Sequence, residues 1–167
     1  MEPNYNKAKD LASQILSEAE IKSPPIAVLN LAILKGLKVD FMKMYKDVGQ
    51  LMSGVFDAKN KTIYVNSDDH PNRQAFTIAH ELGHYVLDHK PSEYDFLPRQ
   101  VTVVNSSPEE KEANCFAANL LIPKDMLDEA IKKYSLNITN DIDVLANLFG
   151  VSKEFMKYRI DGLQWQD

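Results

Sequence analysis

The chain has 167 residues, 44% apolar and 26% charged, with a formal net charge of −5 and one cysteine, Cys115. This is ordinary soluble-globular composition, in a chain long enough to bury a core. The negative balance argues against a broad nucleic-acid or membrane surface, a single thiol excludes a disulfide framework, and no apolar run approaches the length of a membrane span.

The opening Met1-Glu2-Pro3-Asn4-Tyr5-Asn6 is polar and does not read as a secretory signal, so the cytoplasm is the expected compartment. Residues 5–21 place Ala8, Leu11, Ala12, Ile15 and Leu16 at helical spacing. Ser23-Pro24-Pro25 interrupts that pattern, and a second helix is expected over 26–35, ended by Gly36. The period then changes. Residues 37–41 alternate like a half-buried strand, and 54–57 and 62–66 flank a short polar turn. Together they predict a small antiparallel sheet. Asp68-Asp69-His70-Pro71 reads as a helix start for an element over 71–88, with His70 as a capping or loop residue. Residues 90–108 hold three prolines and little periodicity, as a loop would. Pro108 opens a further helix over 108–122, and short helices complete the chain.

His80-Glu81-Leu82-Gly83-His84 carries the first chemical signal. Residues four apart on a helix lie one above the other. Two imidazoles so placed can both reach one Zn²⁺ at about 2.0–2.1 Å. Glu81 sits about 100° round from His80, where it can take a proton from an attacking water and pass it to a leaving amine. Ala75, Phe76, Ala79, Leu82, Gly83, Val86 and Leu87 form an apolar arc, with both histidines just beyond its edge. Gly83 costs roughly 1 kcal/mol of helix propensity against alanine, so something is expected to pack closely there, such as a strand or a ligand backbone.

Catalytic zinc normally takes three protein ligands and leaves one position open. No third histidine follows at a metal-binding offset: Lys90 occupies the place an extended motif would need, and wheel geometry turns His89 to another face. The helix after Pro108 offers Glu109, Glu110 and Glu112. Glu110 shares a small, apolar face with Ala113, Asn114, Ala117 and Leu121. Glu112 lies roughly 200° away, and a first-turn preference for acidic residues accounts for it and for Glu109. Glu110 is therefore assigned as third ligand. Asn114, one turn on, is placed to hydrogen-bond a ligand histidine from behind. His89, Tyr85 and Tyr94 are candidates to stabilise the oxyanion of a tetrahedral intermediate, and the sequence does not choose among them. Cys115 reads as a small buried hydrophobe.

The run from Arg73 through His84, followed by the run from Glu110 through Pro123, resembles the ImmA/IrrE family of metallopeptidases. The likeness covers roughly residues 20–160. It implies an α+β fold: a mostly helical, gluzincin-like zincin domain around a small sheet, with one Zn²⁺ per chain held by His80, His84 and Glu110. It maps the family's catalytic glutamate onto Glu81. Characterised members cleave helix-turn-helix repressors of phages and mobile elements or of a DNA-damage response, so a repressor is the implied protein substrate. The family often carries a histidine four residues after the second ligand. Here that place is Asp88, and His89 follows it.

Residues 143–159 read as helix, Gly-containing turn and helix, a helix-turn-helix-like pattern. The expected division is a metallopeptidase domain over 1–136 and this segment, over 137–167, packed on the same domain. DNA binding would use Lys153, Lys157 and Arg159, but that basic signal is thin. The alternative function is a non-proteolytic regulatory module, binding a repressor or DNA or associated with a toxin, with a structural or vacant metal site.

Overall fold

The computed structural model describes residues 2–44, 52–89, 97–98 and 107–164. Helix α1 (Tyr5–Glu18) buries Ala8, Ala12, Ile15 and Leu16, one stripe at helical spacing. Asn4 starts it by accepting a hydrogen bond from the Lys7 amide at 3.0 Å. Helix α2 (Val28–Leu34) buries Val28, Leu31 and Ala32. Strands β1 (Lys38–Met42), β2 (Met52–Asp57) and β3 (Thr62–Asn66) follow, then helix α3 (Pro71–Val86), the two-residue strand β4 (Leu97–Pro98) and helix α4 (Pro108–Leu121). Helices α5 (Lys124–Tyr134), α6 (Ile142–Phe149) and α7 (Lys153–Gln164) complete the described chain. None of the described helices is long and apolar enough to cross a membrane.

The fold is α+β, and its sheet is mixed where an antiparallel one was expected. β2 and β3 form the antiparallel hairpin, from Gly54 opposite Val65 to Asp57 opposite Thr62. The Asp57 carboxylate closes the turn by accepting from the Asn60 amide at 3.0 Å. β1, however, runs parallel to β3, with Lys38 beside Thr62 and Met42 beside Asn66, and the strand order is β1-β3-β2-β4. Alternating polarity reports which face of a strand is buried. It says nothing about the direction of the neighbour.

Both helices that carry the chemical motifs start where their capping residues predict. The His70 ring accepts from the Asn72 amide at 3.2 Å, and Pro71 opens α3. Ser107 accepts from the Glu110 amide at 3.3 Å, and Pro108 opens α4. Two glycines let α3 approach its neighbours. A Cβ at Gly54 on β2 would run into the Thr77 side chain on α3. A Cβ at Gly83 on α3 would lie 2.9 Å from Phe116 Cδ1 and 3.3 Å from Ala113 Cα on α4. The neighbour at Gly83 is thus another helix, where a strand or ligand was expected. Ala113, Phe116 and Ala117 are fully buried there.

The last two helices close the same core. Leu145 and Phe149 of α6 and Met156 and Ile160 of α7 belong to one buried cluster with Phe76, Leu82 and Leu120. Gly150 turns between them in the left-handed region at φ +65°. Asn72 at the start of α3 donates to the Val151 carbonyl of that turn at 2.9 Å. Arg159, which the sequence groups with Lys153 and Lys157 as a DNA-facing set, is only 5% exposed. Its Nε donates to the Ile122 carbonyl at 3.0 Å, and a terminal nitrogen donates to Asn119 Oδ1 at 2.8 Å. A buried guanidinium needs such acceptors, and here it satisfies groups at the end of α4.

Replacing Gly83 with Val forces side-chain atoms into the α4 backbone and Phe116. Urea unfolding of this variant is expected to show a loss of about 1–3 kcal/mol, the usual cost of overpacking.

Candidate metal centre

α3 turns His80, Glu81 and His84 inward, and all three are buried: His80 is 1% and His84 7% exposed. α4 supplies Glu110 from its first turn, with its side chain partly open to solvent. The close contact at Gly83 brings these groups together. His80 Nε2 lies 3.3 Å from Glu110 Oε2, and His84 Nε2 lies 3.1 Å from Glu110 Oε1. The two Nε2 atoms are 2.9 Å apart. Among the described residues, His80, His84 and Glu110 form the cluster whose geometry could hold a metal ion.

The other ring nitrogens decide what this cluster is. His80 Nδ1 faces Asn114 Oδ1 at 3.0 Å. An amide oxygen only accepts, so His80 carries its proton on Nδ1 and presents a bare Nε2. His84 Nδ1 faces His89 Nδ1 at 3.0 Å, and His89 Nε2 faces Glu112 Oε2 at 2.8 Å. A carboxylate accepts, so a neutral His89 donates from Nε2 and accepts at Nδ1. His84 must then donate from Nδ1, and its Nε2 is bare as well. With the rings neutral, two imidazole lone pairs and both oxygens of one carboxylate therefore converge on one point. Such a set repels itself unless a cation lies at its centre. Tetrahedral bonds of about 2.0–2.1 Å would separate ligand atoms by about 3.3 Å, close to the spacing found. The donor set fits a divalent metal.

The electrostatics agree with that assignment. Burial pushes the His80 pKa down, against the opposing pull of the Glu110 carboxylate and the Asn114 amide oxygen, and favours the neutral ring that a metal needs. Burial works to raise the Glu110 pKa, but the adjoining rings of His80 and His84 outweigh that and hold the carboxyl well below the usual range, as the carboxylate a cation would meet.

The Tyr85 ring packs edge-on against Phe56 of β2 at 5.7 Å between centroids. Tyr94 lies outside the described residues. Cys115 is only partly buried, and desolvation raises its thiol pKa. His89 stands behind His84, with both ring nitrogens engaged. Wheel geometry turned it away because it assumed a continuing helix. Instead Asp88 adopts a left-handed conformation, φ +60°. The Asp88 amide donates to the Tyr85 carbonyl at 3.2 Å, and the His89 amide to the His84 carbonyl at 3.0 Å. That is the Schellman end of a helix, and it folds His89 back over His84. Glu112 is the residue that sequence reasoning missed. Its carboxylate meets His89 and the Asn4 amide, contacts that a first-turn preference for acidic residues does not anticipate.

A helix bearing paired histidines, joined by a carboxylate from the next helix beside a small mixed sheet, defines a metallopeptidase-like domain. The model of the M78 peptidase family, the IrrE N-terminal-like domain, matches residues 35–161, and the chain belongs to that family. The radiation response metalloprotease IrrE of Deinococcus deserti is 31% identical over 110 residues, covering 60% of this chain and 34% of that protein. The immunity region protein 2 of Bacillus phage phi105, itself uncharacterized, is 33% identical over 99 residues, covering 59% of this chain and 58% of the phage protein. The chain thus spans less than two thirds of each of these curated relatives. A Mycobacterium tuberculosis transcriptional regulator shares the fold, with a TM-score of 0.65 at 21% identity over 92% of this chain and 46% of that one.

Asn114→Ala removes the acceptor that holds the His80 ring. Isothermal titration with zinc is expected to show affinity reduced by about 10–100-fold, the usual effect of losing such a partner, with the far-ultraviolet circular dichroism unchanged.

Proposed function

We propose that this chain is a zinc-dependent endopeptidase, acting in the cytoplasm on a helix-turn-helix transcriptional repressor of a phage, a mobile element or a stress regulon. The observation that carries this reading is the convergence of bare acceptors from His80, His84 and Glu110 beside a buried Glu81. A structural zinc site normally closes with four protein ligands, whereas three leave a position for chemistry.

His80, His84 and Glu110 would hold the ion. Bound zinc supplies Lewis acidity, which polarises a peptide carbonyl and makes water acidic enough to attack at neutral pH. Glu81, next in sequence to a ligand and buried on the same helix, takes the proton from the attacking water. It then delivers that proton to the departing amide nitrogen, so one carboxylate serves as base and then as acid. Asn114 keeps the His80 ring in the tautomer that binds metal.

The substrate class is drawn from the relatives. One is named for a radiation response and the other for a phage immunity region. The burial of Arg159 weighs against a DNA-reading role for α6 and α7. We place this pair in the same domain as the metal centre, as part of its packing.

The test is co-expression with a helix-turn-helix repressor, taken from the neighbouring genes where one is encoded there, read by intact-mass spectrometry. The wild-type chain is expected to convert the repressor into two fragments. Glu81→Gln should slow cleavage by about 10²–10⁴-fold, the usual share of general acid–base catalysis, while zinc content stays at one per chain. Undiminished cleavage by Glu81→Gln would exclude the mechanism.

A further inference from the structure

Each ligand histidine has a different partner behind it. His80 leans on a neutral amide, Asn114. His84 leans on another histidine, which leans on a carboxylate. We propose that Glu112 and His89 form a positioning pair that fixes the ring of His84 and makes it the stronger electron donor of the two. This role rests on the metal-centre reading given above.

With both rings neutral, the carboxylate at its end gives every bond in the chain a direction. Glu112 Oε2 accepts from His89 Nε2 at 2.8 Å. His89 Nδ1 then accepts from His84 Nδ1 at 3.0 Å. No other assignment with neutral rings satisfies these two contacts and leaves His84 Nε2 without a proton, as a metal ligand requires. Each donated hydrogen bond moves electron density towards the donor ring, and a carboxylate at the end of a chain strengthens the bonds along it. The ring planes of His84 and His89 are crossed at 71°, with centroids 5.0 Å apart, so the contact is edge to edge between nitrogens and not a stack.

The pair is also built to stay in place. The His89 and Glu112 side chains are only 7% and 14% exposed. The left-handed turn at Asp88 fixes the backbone of His89. The second oxygen of Glu112 is occupied too, since Oε1 accepts from the Asn4 amide at 2.6 Å. Lys7 Nζ donates to the Leu87 carbonyl at 3.0 Å, one residue before that turn. The start of α1 therefore clamps both ends of the arrangement, Glu112 on α4 and the end of α3. Neither Glu112 nor Asn4 needs to approach a substrate for this; they act through His89 and His84.

Two measurements test the pair without using activity. Histidine-ring proton–nitrogen correlation spectra of the metal-free protein should show His84 protonated on Nδ1 and His89 on Nε2. His89 protonated on Nδ1 alone would overturn the proposal. Zinc affinity by chelator competition should fall about 10–100-fold in His89→Ala and by a smaller factor in Glu112→Gln. In the His89→Ala background, Glu112→Gln should change affinity no further, because the carboxylate acts only through that ring. A purely structural role for Glu112 predicts the opposite, a full extra loss in the double variant. Circular dichroism at the titration temperature checks that each variant is folded, and should His89→Ala fail to fold, the Glu112→Gln titration and the wild-type spectra decide. Wild-type affinity in both single variants overturns the positioning role alone. Absence of zinc binding by the wild-type chain overturns the metal centre and the pair together.

Discussion

The structure depends on how closely α3 and α4 approach at Gly83. With no side chain there, α3 settles against Ala113 and Phe116 of α4. That spacing brings Glu110 within 3.1–3.3 Å of His80 and His84 and Asn114 within 3.0 Å of His80. The glycine costs helix propensity of about 1 kcal/mol against alanine. The packing of fully buried Ala113, Phe116, Ala117 and Leu82 offsets that cost. The sheet serves the same end from the other side, where Gly54 lets β2 lie against Thr77 of α3.

Close packing alone would make the centre unstable. It drives two buried rings and a carboxylate together with every lone pair facing inward. The hydrogen bonds behind the rings make this worse for the empty cluster and better for a filled one, because they hold the protons on the outer nitrogens. Folding and metal binding are coupled in such a site. On the proposed reading, Asn114, His89 and Glu112 take as much part in its chemistry as the three residues that would touch the ion.

Features written as local periodicity or capping were legible in the sequence. The amphipathic stripes of α1 and α3, the proline starts of α3 and α4 and the β2–β3 hairpin belong to this group. His80, His84 and Glu110 could be grouped because helical spacing fixes which side chains share a face, and the structure brings those three together. What was not legible depended on contacts between elements or on a break in regularity. The parallel pairing of β1 is a matter of topology. The contact of His89 with His84 was not legible because a wheel cannot represent the left-handed Asp88. Glu112 was set aside because an acidic first turn explained it, and its partners lie 23 and 108 positions away. Arg159 read as a surface cation, since nothing local signals that the end of α4 would take it in.

The central claim is that three side chains from two adjoining helices hold one metal ion. Anomalous diffraction at the zinc edge from zinc-soaked crystals tests it most directly. The account predicts one strong peak per chain, at about 2.0–2.1 Å from His80 Nε2, His84 Nε2 and a carboxylate oxygen of Glu110. No peak at that position, or one held by other residues, would contradict it.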